Sequence, residues 1–479
     1  MPPTPRRRPS NESRHPADRP SQGYSGRPRA GRPRPPGRPP GRPGDSPPPS
    51  RAPRPPRPTQ TYEPRPEFYD DAPRPPLSPE NLVQRSLELE PGKPLPFVEI
   101  KSPTNSATLF RKRLGDIDRR ARPGDLVNLR LPGGIHFGQG LFNLRAEATV
   151  RILTRGEQQA DIEWWTQQLN SAIDFRRDFL KLDEVTDAWR VVHAEGDGLP
   201  GLVVDRYGPV LALEVFSLAM YQRAGAIAEL LSTLMDAPHW IVIPAPRTLD
   251  HEGFEAEPFG SSNLPRSVAV TERGTRYEIQ FAVGHKTGFF CDQRDNRQKL
   301  TEWTGGKSVL DLCCYTGGFS VAAKTRGSAG ETTGVDLDET AIAQAKRNSR
   351  INKQPIRYVH ADAFNYMRDM RANGQKYDVV VLDPPKLVHS REEESSGKGK
   401  YFDMNRLAMQ LVAPGGLLVT CSCSGLLAEE DFRRLVIAAV PEDRRAQIIH
   451  TAGAGADHPI ATNCLETGYL KTVWVRFAN

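Results

Sequence analysis

A chain of 479 residues with a net charge of +7 is long enough for two or three folded domains. Its first 80 residues carry 16 arginines, no lysine and 8 acidic residues, a net charge of +8, so the rest of the chain is close to neutral. The sequence has no run of 18 apolar residues, which excludes a membrane-spanning helix and a membrane partner.

Residues 1–90 hold 26 of the 45 prolines, in runs such as GRPRPPGRPPGRPG. Because they contain few aliphatic residues, they bury too little apolar surface to offset the entropy of ordering. We predict a disordered Arg/Pro-rich tail with polyproline character. It is either an arm that binds RNA phosphates non-specifically or a solubilising linker, and the sequence does not separate the two.

Residues 91–158 consist of short β-type pieces such as PFVEI, GDLVNLRLPG and ATVRIL, separated by turn residues, and predict a small β-module. Residues 159–275 predict an α+β domain. It begins with an amphipathic helix over about 161–181 and continues with an antiparallel meander over 191–216.

Residues 276–479 repeat strand, Gly-rich turn and helix, from SVLDLCCYTGG through YDVVVLDPP to GGLLVTCSCS. Apolar runs without alternation are typical of parallel strands covered on both faces. We therefore predict an α/β fold, a Rossmann-like doubly wound domain that binds its ligand at the carboxyl ends of the strands.

Three acids lie at or near the ends of successive predicted strands: Asp311, Asp336 and Asp362. Each alone could be a helix N-cap, but together they suit a nucleoside, with Asp336 accepting from the ribose diol and Asp362 from the adenine amino group. The sequence has neither GxGxxG nor GxxxxGK[ST], so a phosphate-bearing ligand is not favoured. We predict S-adenosylmethionine as cofactor. The residues expected to bind it are Asp311, Tyr315, Thr316, Gly317, Gly318, Asp336, Asp362 and Asp383.

The two glycines of this set are expected to contribute through their backbone. Gly317 and Gly318 would let the backbone approach the ligand closely and open the next helix.

The fourth predicted strand ends in DPPK, Asp383–Lys386, and the fifth ends in TCSCSG. Two prolines hold Asp383 rigidly at the rim, and strands four and five are expected to be neighbours. A thiolate that adds to C6 of a cytosine makes C5 nucleophilic, so these residues suit methylation of a ring carbon. Lys386 or a helix N-terminus would lower the thiol pKa.

All six cysteines lie after residue 290, without a repeated CxxC spacing. No metal site is predicted, and reduced thiols without a secretory signal favour a cytoplasmic protein. Cysteines are usually small core residues, and CxC could bind copper or zinc, so packing and a metal remain alternatives for Cys421 and Cys423.

The segment GHKTGFFCDQRDNR, residues 284–297, is rich in polar and aromatic groups. We predict that Lys286, Arg294 and Arg297 contact RNA phosphates and that Phe290 stacks on a base, with Lys386 also facing RNA. The alternative is a capped helix start with Asp292 as the cap and the arginines in solvent.

The motifs GLPGLVVDRYG, HKTGFFCDQRDNR, DLCCYTGGFS, VLDPPK, SCSGL and ADHPIAT together resemble the ribosomal RNA large subunit methyltransferase I family. The resemblance covers roughly residues 165–479. It implies a PUA-like RNA-binding module, a central domain and a catalytic domain that forms 5-methylcytosine in 23S rRNA. It also implies that Cys423, within SCSGL, is the nucleophile rather than Cys421, with Asp383 as its catalytic partner.

The stretch 95–155 lacks the usual Trp-containing opening of the PUA module, so RNA docking is expected to differ there. A homodimer is weighed beside the monomer. Two rival functions stay open: methylation of another RNA or atom with Cys423 structural, and an inactive RNA-binding assembly factor.

Overall fold

The computed structural model describes residue 77 and residues 82–281 and 288–478. The predicted tail falls almost entirely outside them, as does Lys286. The first sheet contains the β-type pieces predicted from the sequence. Its strands, in the order β2-β6-β5-β4-β1-β3, are β1 (Phe97–Ile100), β2 (Thr108–Leu109), β3 (Leu114–Ile117), β4 (Leu126–Leu131), β5 (Ile135–Phe142) and β6 (Val150–Arg155).

Helix α1 (Ile162–Asp174) leads from this sheet to the next. It begins where Asp161 accepts a hydrogen bond from the Trp164 amide at 2.9 Å, and it continues as a π-helical turn over Phe175–Phe179. Trp165, Leu169 and Ile173 are buried on one face, as an amphipathic pattern predicts.

The central sheet has the order β11-β10-β9-β8-β7. The three strands that come first in the chain, β7, β8 and β9, form the predicted antiparallel meander. A helical crossover then leads to β10, which is parallel to β9. The strands are β7 (Ala188–His193), β8 (Leu202–Tyr207), β9 (Val210–Val215), β10 (His239–Pro244) and β11 (Phe259–Gly260). The helices are α2 (Leu218–Tyr221), α3 (Ala224–Met235) and α4 (Thr248–Glu252).

The third sheet has seven strands in the order β16-β15-β14-β17-β18-β20-β19. The five strands from β14 to β18 are mutually parallel, while β20 is antiparallel to both of its neighbours. The strands are β14 (Val309–Leu312), β15 (Thr332–Asp336), β16 (Arg357–His360), β17 (Tyr377–Leu382), β18 (Val412–Ser422), β19 (Ala446–Ala452) and β20 (Lys471–Phe477).

The helices of this domain are α5 (Arg294–Thr301), α6 (Gly318–Thr325), α7 (Glu339–Ile351), α8 (Ala363–Ala372), α9 (Glu394–Leu411) and α10 (Glu429–Ala438). Because the parallel strands share one direction, the residues after β14, β15, β16, β17 and β18 meet at one edge. Among the helices in the described part of the chain, none is long and apolar enough to cross a membrane.

A hairpin of β12 (Ser267–Glu272) and β13 (Thr275–Gln280) joins the central sheet to the third sheet. The Asn348 side chain of α7 accepts from the Glu278 amide at 2.9 Å, and Val270, Tyr277 and Ile279 pack in one cluster with Tyr207 and other central residues. The domain boundary expected at 275/276 therefore falls inside β13. The hairpin cannot be divided there because β12 and β13 are paired along their whole length.

Candidate active site

The loop after β14 has an unusual backbone. Cys313, Tyr315 and Gly317 have φ angles of +58°, +48° and +81°, so three of five consecutive residues are left-handed. Residues other than glycine adopt this conformation only at a cost of about 1–3 kcal/mol, and such strain clusters at functional sites. The surrounding contacts therefore hold this loop in a fixed shape at the carboxyl edge of the sheet.

Packing explains the glycine at position 317. A Cβ placed there would lie 2.5 Å from the Tyr358 hydroxyl oxygen and 3.3 Å from the Ala345 side chain. At Gly318 it would lie 3.4 Å from the Arg297 side chain, an ordinary contact. From the sequence we expected both glycines to allow a close approach of the ligand. At position 317 the neighbouring protein atoms alone leave no room for a larger side chain.

Asp311 is fully buried within β14. Its Oδ2 accepts a hydrogen bond from the Ser320 amide in the first turn of α6 at 2.9 Å, while Oδ1 has no partner in the described part of the chain. Burial raises the pKa of this carboxyl to about 7, and the Ser320 hydrogen bond opposes the rise. A buried acceptor without a donor suits a ligand that supplies one.

Asp336 lies at the end of β15 and fixes the strained loop. Its Oδ2 accepts from the Tyr315 amide at 2.8 Å, and its Oδ1 accepts from the Asp338 amide at 2.9 Å. Thr316 is buried, and its carbonyl accepts from the Asn348 side chain at 2.9 Å. Asp336 therefore lies at the rim directly beside the loop, as the sequence predicted.

Asp362 is the N-cap of α8 and accepts from the Asn365 amide at 2.9 Å, so the capping role considered for it is present. It also belongs to a wider cluster. Burial and the charges of Asp336, Asp383, Asp311 and Asp362 all raise the pKa of the Cys313 thiol. Four carboxyl groups thus converge on the loop after β14.

Asp383 follows β17 directly and is half-buried at the same edge. Its Oδ2 accepts a hydrogen bond from the Gln293 side chain at 3.1 Å. Burial, together with the charges of Asp292 and Asp311, raises the pKa of Asp383 to about 7, while the Gln293 hydrogen bond lowers it. The group therefore exchanges its proton near neutral pH.

Strands β17 and β18 are neighbours, with Leu382 opposite Thr420, so TCSCSG does lie beside DPPK. Its two cysteines have different surroundings. Cys421 is fully buried, its sulfur lies 3.4 Å from the Thr472 hydroxyl, and burial raises the pKa of its thiol. Cys423 lies just beyond β18, is partly exposed and donates to the Pro384 carbonyl at a sulfur–oxygen distance of 4.0 Å.

The prediction that Arg294 and Arg297 contact RNA phosphates is wrong, because both side chains are buried. Arg294 donates to both Asp457 oxygens, at 2.6 and 3.0 Å, and Arg297 donates to both Glu272 oxygens. Their exposed fractions are 1% and 3%. Both guanidinium groups are thus engaged in internal ion pairs, and the solvated helix face considered as the alternative is also wrong.

Two other predicted RNA contacts remain accessible. Lys386, three residues after Asp383, is exposed, and Phe290 is half-buried with its ring centroid 5.0 Å from that of Tyr315. Lys286 lies outside the described residues. Among the described residues no group of three or more His, Cys, Asp or Glu side chains could hold a metal ion.

Sequence reasoning missed several groups of the site. Gln293 contacts Asp383, and Asp292 accepts from the Tyr469 hydroxyl at 2.6 Å, while its Oδ1 lacks a partner in the described part of the chain. Lys471 is buried beside the TCSCSG turn. The dense polar segment 284–297 pointed to Asp292 and Gln293, but no local pattern marks Lys471, which reaches the site only through the pairing of β18 with β20.

Comparisons with known proteins agree with this geometry. A family model described as S-adenosylmethionine-dependent methyltransferase matches residues 190–438. A relative from Aeromonas hydrophila subsp. hydrophila, named ribosomal RNA large subunit methyltransferase I, is 34% identical over 376 residues, which cover 77% of this chain and 94% of the relative. A relative of the same name from Erwinia tasmaniensis is 32% identical over 372 residues, with 76% and 93% covered.

Solved structures are similar in fold. A methyltransferase crystallised with S-adenosylhomocysteine has a TM-score of 0.66 at 20% identity, covering 78% of this chain and 96% of that one. A methyltransferase from Streptococcus mutans has a TM-score of 0.66 at 18% identity, with 79% and 100% covered. The predicted Rossmann-like α/β fold class is confirmed.

Proposed function

Because the chain belongs to the ribosomal RNA large subunit methyltransferase I family and is an S-adenosylmethionine-dependent methyltransferase, we propose that it methylates C5 of a cytosine in 23S rRNA. The single observation that carries this proposal is the position of Cys423. Its thiol lies against the Pro384 carbonyl, at the carboxyl edge where Asp383 and the acidic loop meet. We also propose a cytoplasmic location, where such a substrate is made.

The residues of the edge fit S-adenosylmethionine. The cofactor carries a sulfonium, an ammonium, a ribose diol and an adenine amino group, all of which favour acceptors or negative charge. We propose that Asp336, at the end of β15, holds the ribose and that Asp362, at the start of α8, holds the adenine. The Oδ1 of Asp311, which has no partner in the described part of the chain, offers a further buried acceptor. When bound, the cofactor supplies an electrophilic methyl group at this edge.

Cys423 activates the base. Its thiolate adds to C6 of the cytosine, the π pair of the C5–C6 bond shifts into the C4–C5 bond, and the π pair of the C4–N3 bond moves onto N3. C5 thereby becomes the nucleophilic carbon of an enamine. Asp383, with a pKa of about 7, donates its proton to the N3 edge as charge accumulates there. After C5 is methylated, a base removes the C5 proton, the C5–C6 double bond re-forms and the sulfur leaves as thiolate. N3 then returns its proton to Asp383, which restores the acid for the next turnover.

The substrate must reach this edge as an unstacked base. Phe290, beside Tyr315, offers an aromatic face for stacking, and exposed Lys386, three residues after Asp383, offers a cation for the adjoining phosphate. Lys286 is proposed for the same role from its position in the sequence. The side chains of Arg294 and Arg297 support this surface from within, through their buried ion pairs with Asp457 and Glu272.

The function is tested on ribosomal RNA itself. Unmodified 23S rRNA incubated with the protein and S-adenosylmethionine should gain one bisulfite-resistant cytosine. The heat-inactivated protein is the control. Incorporation of methyl groups without any bisulfite-resistant position would place the methyl elsewhere and contradict the cytosine-C5 assignment.

Replacing Asp383 with Asn should lower kcat about 100-fold, because an amide can hydrogen-bond the base but cannot give it a proton. A carboxyl with a pKa of about 7 loses its proton above neutral pH, so wild-type activity should fall on the alkaline side with an apparent pKa near 7. The Asn variant should lack this descending limb. The measurement is the pH profile of kcat.

Gln293→Met is the matched variant for that profile. It removes the hydrogen bond that lowers the Asp383 pKa and should move the descending limb to higher pH. A descending limb that stays unchanged in the Asn variant would rule out Asp383 as the group that titrates.

A further inference from the structure

A buried ammonium lies beside the candidate nucleophile. Lys471, the first residue of β20, is 4% exposed and is paired with Ser422 of β18. Its Nζ donates to the Ser424 carbonyl at 2.5 Å and to the Tyr469 carbonyl at 2.8 Å. The side chain is therefore fixed against the backbone that immediately follows Cys423.

Lys471 has no carboxylate within ion-pair distance in the described part of the chain. Its two hydrogen bonds are to neutral carbonyls, which leave one of its three donors unused. A buried ammonium without a counter-charge is unfavourable, so such groups are normally paired. Burial accordingly lowers the pKa of Lys471 to about 8, while the charges of Cys423 and Glu429 act in the opposite direction.

The other titratable groups around Cys423 are poor counter-ions for a thiolate. Tyr401 of α9 and Cys421 of β18 are buried, and burial raises the pKa of both, so they stay neutral at physiological pH. Asp383, beyond Pro384, and Glu429, at the start of α10, are acids that disfavour a thiolate when ionised. Lys386 is exposed. Of the described groups that face Cys423, Lys471 is the buried cation.

Ser424 fixes the same turn from its other side. Its Oγ accepts from the Leu387 and Val388 amides at 3.3 and 3.2 Å and lies 3.0 Å from the Tyr401 hydroxyl. The turn around Cys423 is thus held by the loop after β17, by α9 and by Lys471. Its geometry is set before any substrate arrives.

We propose that Lys471 is a positioning residue whose ammonium serves as the counter-ion of the Cys423 thiolate. It stabilises the nucleophile in its reactive form and releases no proton to the substrate. The inference deepens the proposed function and rests on Cys423 acting as the nucleophile. It stands in place of Lys386 and of a helix N-terminus, the two alternatives that the sequence offered for lowering the thiol pKa.

The test is the rate of alkylation of Cys423 by iodoacetamide in the full chain, measured from pH 5 to 9, with tandem mass spectrometry separating Cys423 from Cys421. A free thiol has a pKa of about 8.5. Wild-type Cys423 should titrate below that value. Lys471→Met should raise its pKa by at least one unit and slow alkylation at pH 7 about tenfold. Lys386→Met, the matched control, should leave the profile unchanged.

Lys471→Arg keeps the positive charge and should retain most of the wild-type alkylation profile. This variant distinguishes an effect of the charge from an effect of the particular shape of the lysine side chain. If the Met variant does not fold, the wild-type and Arg profiles decide, because a wild-type pKa of 8.5 or above overturns the proposal. An unchanged profile in a folded Met variant also overturns it. Alkylation does not depend on methyl transfer, so a catalytically silent Cys423 would refute the proposed function without touching this result.

Discussion

Cys423→Ala should abolish methyl transfer, with a loss in kcat of at least about 1,000-fold, because Cys423 is the thiol that lies against Pro384 of the DPPK segment. Cys313 lies at the same edge, but burial and the surrounding carboxylates raise the pKa of its thiol and disfavour the thiolate. Cys421→Ala is the matched control. Its sulfur is fully buried against Thr472, so the variant should lose some stability and keep its turnover. The measurement is single-turnover methylation of 23S rRNA with excess enzyme.

Covalent trapping gives an independent readout for the same pair. RNA carrying 5-fluorocytosine has no C5 proton to lose, so the adduct should persist and migrate as a protein–RNA species on a denaturing gel. Wild type and Cys421→Ala should both form it, and Cys423→Ala should not. Equal losses in both variants would mean that the two cysteines act together, and full activity of Cys423→Ala would favour a structural cysteine and another target atom.

A loss of activity in a cysteine variant can be assigned to the chemical step only if the variant still binds S-adenosylmethionine. Calorimetry with S-adenosylmethionine should give the same affinity for both cysteine variants as for wild type, because neither sulfur belongs to the acidic cluster around Cys313. A wild-type protein that fails to bind the cofactor would instead support the inactive assembly factor considered from the sequence.

Asp457→Ala should destabilise the fold by about 3–5 kcal/mol. Asp457 is fully buried and accepts from Arg294, from His458 and from the Arg190 amide, while its own carbonyl accepts from Arg176 at 2.7 Å. Removing the carboxylate leaves the buried Arg294 guanidinium without its buried, hydrogen-bonded acid. Urea unfolding followed by tryptophan fluorescence measures the loss.

Asp295→Ala is the matched control, because Asp295 lies 3.7 Å from the same Arg294 but is 53% exposed. Exposed ion pairs contribute only about 0–1 kcal/mol, so this variant should be nearly as stable as wild type. Similar losses in the two variants would mean that the buried pair contributes no more than an exposed one.

The Asp457 pair also predicts how stability depends on pH. Burial pushes the pKa of Asp457 up, but His458 and Arg294 outweigh it and hold the pKa well below its ordinary value. The contribution is therefore present above the unfolded pKa of about 4 and is lost as the pH falls below it. The free energy of unfolding should decline less steeply below pH 4 in the Ala variant than in wild type.

The strand rhythm of residues 276–479 and the acids at the strand ends were predictable because they follow from local pattern. Apolar runs specify buried parallel strands, and the rule that ligands bind at their carboxyl edge then places Asp336 and Asp383. The pairing of β17 with β18 followed from the usual strand order, whereas the choice of Cys423 over Cys421 came from the SCSGL motif of the family resemblance.

The errors concern residues whose environment depends on distant partners. Arg294 and Arg297 read as solvent-facing cations because their acids, Asp457 and Glu272, lie 163 and 25 residues away. Lys471 was overlooked for the same reason. The left-handed backbone at Cys313 and Tyr315 also escaped prediction, since local propensity assigns that conformation to glycine.

The position of β20 bears on how the protein is made. This strand lies between β18 and β19, so β19 has no other partner among the described strands, and β18 keeps an open edge until residues 471–477 arrive. During synthesis the nascent catalytic sheet exposes that edge, which is prone to pairing with other chains. The same late segment delivers Lys471 to the turn around Cys423. The nucleophile therefore meets its proposed counter-ion only in the last step of assembling the sheet, which leaves partly made chains without a completed active site.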